Sequence, residues 1–506
     1  MSRSVHPFCR MFRQPLMSDR RFRPAHRWFN FVIVLAGMLA SAVAQSSRPN
    51  IVLMMADDQG WGETGYNGHP HLKTPVLDEM ARTALRLDRF YAASPVCSPT
   101  RASLMTGRHA NRSGAFAPNW STRPEEITVA QILKQAGYRT AHFGKWHLGP
   151  VKQASPLNPS RMGFDEYLSH DNFFEMDPPL SRNGAPPEII PGEGSELIVG
   201  EAVSFARKVR AENKPFFIVV HFGSPHDPYS GKRSDLATYA HLPAPISHRF
   251  AEISAMDRSI GVFRSALADL GVRDTTLLWF NSDNGITWEG IPAEQRKDLF
   301  NGEWRGKKGE IFEGGVLVPA VIEWPAMIRA PRVSSVRCVT SDILPTLLDL
   351  LGLKHPAPQR PLDGISLKTL IVDQTMQVRP SPIGFWKYPA QGESRNERWI
   401  SEDLSRGTTP TTRNPAVAFQ NFRHPVAKTS DFGGEAAWTD HRYKLVLAGG
   451  GRRATGEATP ALYDLIKDPK ETTDLAGEHP DILKRMLGEL HAWQRSVERS
   501  LSGADY

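Results

Sequence analysis

Ser94-Pro95-Val96-Cys97-Ser98-Pro99-Thr100-Arg101-Ala102-Ser103-Leu104-Met105-Thr106-Gly107-Arg108 begins as irregular chain and turns helical. Pro99 suits a first helical turn, where the missing N–H costs nothing. Ser98 is a favourable N-cap, Ala102 to Thr106 can propagate the helix, and Gly107 can end it. Cys97 therefore sits at or just before a helix N-terminus, among unpaired backbone N–H groups that favour anions. Taken alone, it reads as a buried cysteine before a short helix, the commoner fate of a free thiol.

Upstream, Ile51-Val52-Leu53-Met54-Met55-Ala56 is a continuous apolar run of the kind that forms a buried parallel strand. It ends at Asp57-Asp58-Gln59-Gly60. Adjacent carboxylates after a buried strand are costly unless paired or bound to metal; a turn or a helix cap is the plainer alternative. Thr74-Pro75 opens a helix with Leu77, Met80 and Ala81 at helical spacing.

Downstream, Thr128 caps a helix closed by Gly137, and a strand from Tyr138 to Phe143 runs into Gly144-Lys145-Trp146-His147. Residues 150–195 are rich in Pro and Gly and read as long surface loops. A helix near Glu201 to Arg210 precedes the strand Phe216 to Phe222, which ends at Ser224-Pro225-His226-Asp227. An amphipathic helix from Ile253 to Leu270 precedes the strand Thr275 to Phe280, which ends at Asp283-Asn284-Gly285, by itself a tight-turn sequence.

This alternation predicts an α/β fold, a large mostly parallel sheet flanked by helices. Such sheets bind ligands beyond the carboxyl ends of their strands. Four of those ends carry Asp57/Asp58, Lys145/His147, His226 and Asp283/Asn284, so one mouth can hold them all. Asp342 to Leu348 starts a further helix. The pattern changes near Pro380 to a smaller antiparallel α+β part: strands within Trp438 to Leu447 and Ala461 to Leu465, then an amphipathic helix from Asp481 to Leu501. The expected organisation is a leader over 1–44, a catalytic domain over 48–380 and a C-terminal subdomain over 381–506. Residues 389–435 are polar and show no period.

The chain's 506 residues suffice for one large domain and a smaller one. Its net charge of +7 is unevenly placed: residues 1–44 hold seven Arg and one Asp, a net of +6, which leaves +1 for the rest. The basic balance belongs to the leader, and no nucleic-acid surface follows from it. An Arg-rich region ending at Arg27, an apolar run from Trp28 to Ala40 and the small residues Ala42-Val43-Ala44 fit a cleaved secretory signal. The run is short of the roughly 20 residues a spanning helix needs, so no stable membrane anchor is expected; an uncleaved anchor is the alternative, and Met17 is a second candidate start. The protein is expected to be secreted or periplasmic.

Cys97, Pro99, Arg101, Thr106, Gly107 and Arg108 resemble the type I sulfatase signature, C-x-P-x-R followed by T-G-R, of the alkaline phosphatase superfamily. The resemblance is to arylsulfatase-type members and runs from Asn50 to Leu462-Tyr463-Asp464-Leu465. It implies that a formylglycine-generating enzyme oxidises Cys97 to formylglycine, whose hydrated form, a geminal diol, is the nucleophile. A serine would become sulfated and wait for water, whereas a diol keeps a second hydroxyl that can collapse to the aldehyde and expel sulfate.

The resemblance also implies that Asp57, Asp58, Asp283, Asn284 and residue 97 ligate one divalent cation, Ca²⁺ or Mg²⁺, since all supply oxygen. No Cys/His cluster with zinc spacing competes. By the same resemblance Arg101 steadies the diol, Lys145 bridges nucleophile and sulfate, and His147 takes the proton of the spare hydroxyl. His226 and Lys308 contact sulfate and protonate the leaving alcohol. Lys307 is the alternative to Lys308, which the spacing to Glu313-Gly314-Gly315 favours. Arg108 stands behind them, holding the loop. Cys9 leaves with the leader and Cys97 is converted, so Cys338 stands alone and no internal disulfide is expected.

The expected function is hydrolysis of sulfate monoesters, with a sulfated carbohydrate as substrate. The stretch Ser169 to Pro191 would wall the pocket, offering His170, Asp171, Asn172, Glu175 and Asp177 to hydroxyls and Phe173 and Phe174 to a sugar ring. The rivals are a phosphonate monoester or phosphate diester hydrolase, since some relatives in the superfamily share the modified cysteine, and an inactive secreted carbohydrate-binding protein.

Overall fold

The run Asn50–Ala56 is strand β1, and every residue in it is buried. A computed structural model of the protein describes residues 48–389, 395–412, 415–424, 432–448 and 459–506. The expected leader, and part of the polar stretch 389–435, lie outside the described residues. After β1 come β2 (Leu85–Leu87), β3 (Phe90–Tyr91), β4 (Arg139–Lys145), β5 (Glu166–His170), β6 (Pro179–Arg182), β7 (Glu188–Ile189), β8 (Phe216–His221) and β9 (Thr276–Ser282). They are followed by β10 (Leu317–Val318), β11 (Ala320–Glu323), β12 (Arg332–Ser334), β13 (Cys338–Val339), β14 (Ile383–Trp386), β15 (Ala436–Thr439), β16 (Tyr443–Leu447) and β17 (Pro460–Asp464). The principal helices are α1 (Pro75–Thr83), α2 (Cys97–Thr106), α3 (Val129–Gln135), α4 (Gly194–Ala211), α5 (Ala244–Asp269), α6 (Ile343–Leu351) and α7 (Pro480–Leu501).

Ten strands form one sheet in the order β12-β2-β11-β9-β1-β8-β4-β5-β6-β7. Its centre, β9-β1-β8-β4-β5, is parallel throughout. On either side β11 and β6 run antiparallel, so the sheet is mixed around a parallel centre. Register aligns the carboxyl ends: Met55 pairs with both His221 and Asn281, and His221 with Gly144.

Successive side chains of a strand face opposite ways. Ile51, Leu53 and Met55 join one core with Leu104 of α2, Leu133 of α3 and Leu347 of α6. Val52 and Met54 join the other with Met80 of α1, Ile198 of α4 and Phe250 and Ile260 of α5. Burial on both faces is why β1, β8 and β9 read as nearly unbroken apolar runs.

The strands β14-β15-β16-β17 form a small antiparallel sheet. One face packs Trp438, Leu445 and Leu462 against Met486, Leu490 and Val497 of α7. The other packs Phe385, Ala437 and Val446 against Tyr91, Leu317 and Val339 of the three-stranded sheet β10-β3-β13. Cys97 and Cys338 are both free thiols.

Several local expectations shift. Helix α2 starts at Cys97 with Val96, not Ser98, as its N-cap, because Ser98 Oγ accepts instead from the backbone N–H of Asn119 at 3.1 Å. Gly107 does end it, with φ +68. The stretch 150–195 is not only loop: it holds β5, β6, β7 and the start of α4, whose N-cap is Glu193. Thr128 makes the expected cap, as a capping box with Gln131.

Candidate active site

Asp57 and Asp58 follow β1, Lys145 ends β4, and Asp283 and Asn284 follow β9, so the parallel centre delivers them to one edge. Helix α2 brings Cys97 to the same place. Its Sγ lies 3.6 Å from Asp57 Oδ1 and 4.0 Å from Asp58 Oδ1. All six residues are buried. Burying three carboxylates demands compensation, and three cations supply it. Arg101 donates to Asp283 Oδ2 at 2.7 Å and lies 3.4 Å from Asp57. Lys145 Nζ donates to Asp57 Oδ2 at 2.6 Å, and Lys308 Nζ to Asp58 Oδ2 at 2.7 Å.

The electrostatics divide the carboxylates. Burial pushes Asp283 up to about 6, and the charge of Asp57 adds to this against Arg101. Burial pushes Asp58 the same way, but Lys308, His226 and Lys145 outweigh it and hold that carboxyl below the usual range. Burial raises the Cys97 thiol well above its ordinary value, more than Lys145 lowers it. A thiol held protonated this way is a poor nucleophile at neutral pH.

The residues present fit a hard cation. Ligand atoms of Asp57, Asp58, Cys97 and Asp283 lie within 4.8 Å of one another. Asn284 Nδ2 donates to Asp58 Oδ1 at 2.8 Å, while its Oδ1 is buried with no hydrogen-bond partner. An orphaned buried acceptor beside crowded carboxylates is what a cation with oxygen ligands would satisfy.

His147 lies two residues past β4, in left-handed backbone with φ +55. Its Nε2 is 2.8 Å from Asn119 Oδ1, and Asn119 N–H has Ser98 Oγ as acceptor. The Asn119 N–H also points at Nε2, at 3.2 Å, and Nδ1 is buried without a partner among the described residues. Burial, then the charges of Lys145 and Arg101, keep the imidazole neutral well below its usual value.

His226 sits on the loop after β8. Its Nδ1–H donates to Asp227 O at 2.6 Å, which turns Nε2 toward Lys308 Nζ at 3.3 Å. Burial and the Lys308 charge bring His226 down to about 4, while Asp58 keeps Lys308 protonated against its own burial. Phe173 stacks on the His226 ring, with centroids 4.3 Å apart and planes 11° apart. Lys307 instead faces Glu310 at 3.4 Å, so of the two lysines it is Lys308 that reaches the carboxylates. The Lys308 loop is held by Lys308 N–H on Ile286 O and Gly309 N–H on Pro95 O, both 2.8 Å. Gly285 lets that loop close in, for a Cβ there would stand 2.0 Å from Gly314 O.

Sequence reasoning missed three supports. Arg249 makes a buried bidentate pair with Glu63, at 2.6 Å to each oxygen, and donates to Asp58 O at 2.7 Å and Pro225 O at 2.8 Å. It thus ties the left-handed Asp58 (φ +70) to the turn before His226. Asn119, also left-handed with φ +65, orients His147. Lys444 of β16 pairs with Glu313 at 3.0 Å and Glu471 at 2.9 Å, joining the small sheet to the Lys308 loop. Only Glu63, three residues after the Gln59-Gly60 turn, had a neighbouring motif to point at it. Arg108, expected to brace the loop, pairs with Glu126 at 3.2 Å and Asp505 at 2.5 Å beyond the far end of α2.

The Ser169 to Pro191 stretch contributes less than its polarity promised. His170 and Asp171 are buried and spent on structure, Asp171 accepting from Val151, Thr408 and Thr409. Asp177 accepts from Gly192 N–H, Glu175 accepts from Thr412, and Phe174 packs under Gly194 and Gly223. Asn172, which donates to Asn119 Oδ1 at 3.2 Å, and Phe173 are the ones that reach the catalytic candidates.

A family model described as Sulfatase matches residues 49–353. The chain is 34% identical over 382 residues to N-acetylgalactosamine-6-sulfatase of Mus musculus, covering 69% of this chain and 71% of the relative. It is 30% identical over 497 residues to arylsulfatase A of Homo sapiens, covering 88% of each. Among solved structures, Ps i-CgsB in complex with k-i-k-neocarrahexaose superposes with a TM-score of 0.73 at 23% identity, covering 90% of this chain and 94% of that one.

Proposed function

The chain belongs to the sulfatase family and is a sulfuric ester hydrolase, and from that premise we propose that it releases inorganic sulfate from sulfated carbohydrates with residue 97 as a formylglycine nucleophile. The supporting observation is the Cys97 side chain, sealed between Asp57 and Asp58 as a thiol too hard to ionise to attack anything itself. Hydrated formylglycine at that position supplies one hydroxyl to attack sulfur and a second to expel sulfate. A Ca²⁺ or Mg²⁺ held by Asp57, Asp58, Asp283, Asn284 and residue 97 would draw negative charge off the sulfate oxygens.

The remaining roles follow from position. Lys145 on Asp57 and Lys308 on Asp58 stand at the two carboxylates beside residue 97 and offset charge on the sulfuryl group. Arg101 holds Asp283 in place. His147 takes the proton when the second hydroxyl collapses. The Lys308–His226 pair shares one proton, held on Lys308, and delivers it to the departing alkoxide.

Substrate class rests on the relatives' names and on the rim, where Phe173 and Asn172 can meet a sugar ring. Secretion or a periplasmic location rests on the residue 1–44 leader, and maturation on a formylglycine-generating enzyme in the host. Among the described residues no helix is long and apolar enough to cross a membrane.

Sulfate release from sulfated mono- and disaccharides, a steroid sulfate, and phosphate and phosphonate esters tests the activity, with peptide mass at residue 97 alongside. Fastest turnover of a phosphonate ester, or full activity with unmodified Cys97, would overturn the reading.

A further inference from the structure

A cavity of about 380 Å³ lies where β13, the chain entering β14 and the β15–β16 turn meet, and it shares no lining residue with the active site. Arg89, Arg337, Arg379 and His441 line it, and among the described residues no carboxylate does. Arg379 has a counter-ion, with its two terminal nitrogens on Asp342 at 2.6 and 2.9 Å, and only its Nε is buried with no partner. Arg337 has none among the described residues. It is 8% exposed, one terminal nitrogen donates to His441 O at 2.5 Å, and its Nε is buried with no partner.

That makes Arg337 the exception among the described buried arginines. Arg101, Arg108, Arg112, Arg123, Arg249, Arg264 and Arg379 each have a carboxylate at ion-pair distance. Glu313 feels the Arg337 charge but spends its own on Lys444. Arg89, half-buried, stands over the Trp304 ring at 4.7 Å and among the described residues has no carboxylate at ion-pair distance. A buried guanidinium without a counter-ion is costly, and Arg337 is one that lines this cavity, with the half-buried Arg89 also in its wall.

We infer that this cavity is a second anion site, which binds a sulfate group carried on a sugar of a sulfated glycan. Guanidinium forks match the oxygens of a sulfate as they match a carboxylate or phosphate. The volume exceeds a bare anion and is in the range of small-ligand sites. Val378 and Ile466 on its rim are 53% and 64% exposed and offer apolar contact to a sugar face. The inference rests on the sulfated-carbohydrate reading, and through it a sulfated chain would be held while one of its esters is cleaved elsewhere.

The test uses the full chain carrying Cys97→Ala, which binds without turnover, with a chondroitin sulfate hexasaccharide and inorganic sulfate as separate probes. Arg337→Gln should weaken hexasaccharide binding at least tenfold. Gln377→Glu, an isosteric change at an exposed lining position, should do so without disturbing a buried group. In the otherwise unaltered enzyme, Gln377→Glu should leave kcat/KM on a monosulfated monosaccharide unchanged. Unchanged hexasaccharide affinity in Gln377→Glu, or an Arg337-dependent site that takes only inorganic sulfate, would overturn the glycan assignment. Failure of the wild type to hydrolyse any sulfated sugar would count against the catalytic reading alone, since hexasaccharide binding is measured independently.

Discussion

The carboxylate floor and the rim above it carry the same kinds of charge on different supports. On the floor, Asp57, Asp58, Lys145 and Asp283 stand within two residues of the ends of parallel strands, and their side chains are shut off from solvent. On the rim, His226 and Lys308 sit on loops with side chains 11% and 10% exposed, and Glu289, 3.2 Å from Lys308, is 58% exposed. A sealed charge must be matched in place, so Asp57 is paired with Lys145, Asp283 with Arg101, and Asp58 with Lys308 from the rim. On the rim only Glu289 is open enough to trade its partner for water or substrate at little cost. The floor is therefore suited to act on the sulfate group, common to every substrate, and the rim on the alcohol, which differs. Floor substitutions should hurt all esters alike, and rim substitutions should depend on the leaving group.

The largest effect is expected from Cys97→Ala, a loss of about 10⁴-fold or more in kcat on every sulfate ester with the melting temperature little changed. Activity retained on any one ester would break the comparison at its root. Next is Asp283→Asn, which removes a charged oxygen and strands Arg101 on its longer contact to Asp57. Loss of bound metal and a fall of about 10³-fold, equal for aryl and sugar sulfates, are expected. Metal analysis and two-substrate kinetics check both, and chelation of the wild type should reproduce the kinetic loss until Ca²⁺ or Mg²⁺ is returned.

The floor was legible in sequence because strands buried on both faces announce themselves as apolar runs, and the residues after such runs share one edge of the sheet. Asp57 and Asp283 needed no more than that, whereas Lys145 ends the mixed sequence of β4, read as a strand from Tyr138 to Phe143 after a capped helix. On the rim, His226 was read from its place after a strand and Lys308 from the family resemblance, but the Ser169 to Pro191 wall was not legible, since loop geometry depends on contacts far apart in the chain. His170 and Asp171 looked like sugar contacts, yet Asp171 is filled by Thr408 and Thr409, 237 and 238 positions later. Arg249 lies in mid-helix, where an arginine ordinarily reads as a solvated residue, and only folding turns it onto Glu63. The short strands β2, β10 and β12 escaped because two or three residues carry no period.

Arg249 joins the two regions, so it should break them together. Arg249→Lys keeps the charge but loses the bidentate fit to Glu63 and one of the two carbonyl contacts. A loss of about 3 kcal/mol of stability is expected, with kcat reduced for aryl and sugar sulfates alike because Asp58 and the His226 loop move as one. If only sugar sulfates suffer, Arg249 serves the rim alone. His226→Ala comes next: about 10²-fold on a sugar sulfate, whose alkoxide needs a proton, and only a few-fold on a nitrophenyl sulfate, whose phenolate does not. Equal losses on the two would remove His226 from proton delivery.

The smallest effect is also the finest test, because it sets two adjacent phenylalanines against each other. Phe173 lies parallel to the His226 ring at 4.3 Å, whereas Phe174 points into the core beneath Gly194 and Gly223. A stacked ring pair is worth about 0.5–1.5 kcal/mol. In Phe173→Leu the imidazole keeps its bond to Asp227 O but loses the face that fixes its tilt toward Lys308. The sugar-sulfate kcat should fall about threefold to tenfold, while the nitrophenyl-sulfate kcat holds, so the ratio of the two drops. Phe174→Leu should do the reverse: a lower melting temperature from the buried volume lost, and an unchanged ratio. Should Phe174→Leu shift the ratio as far as Phe173→Leu does, discrimination between leaving groups belongs to the packing of the whole loop and not to the ring on His226.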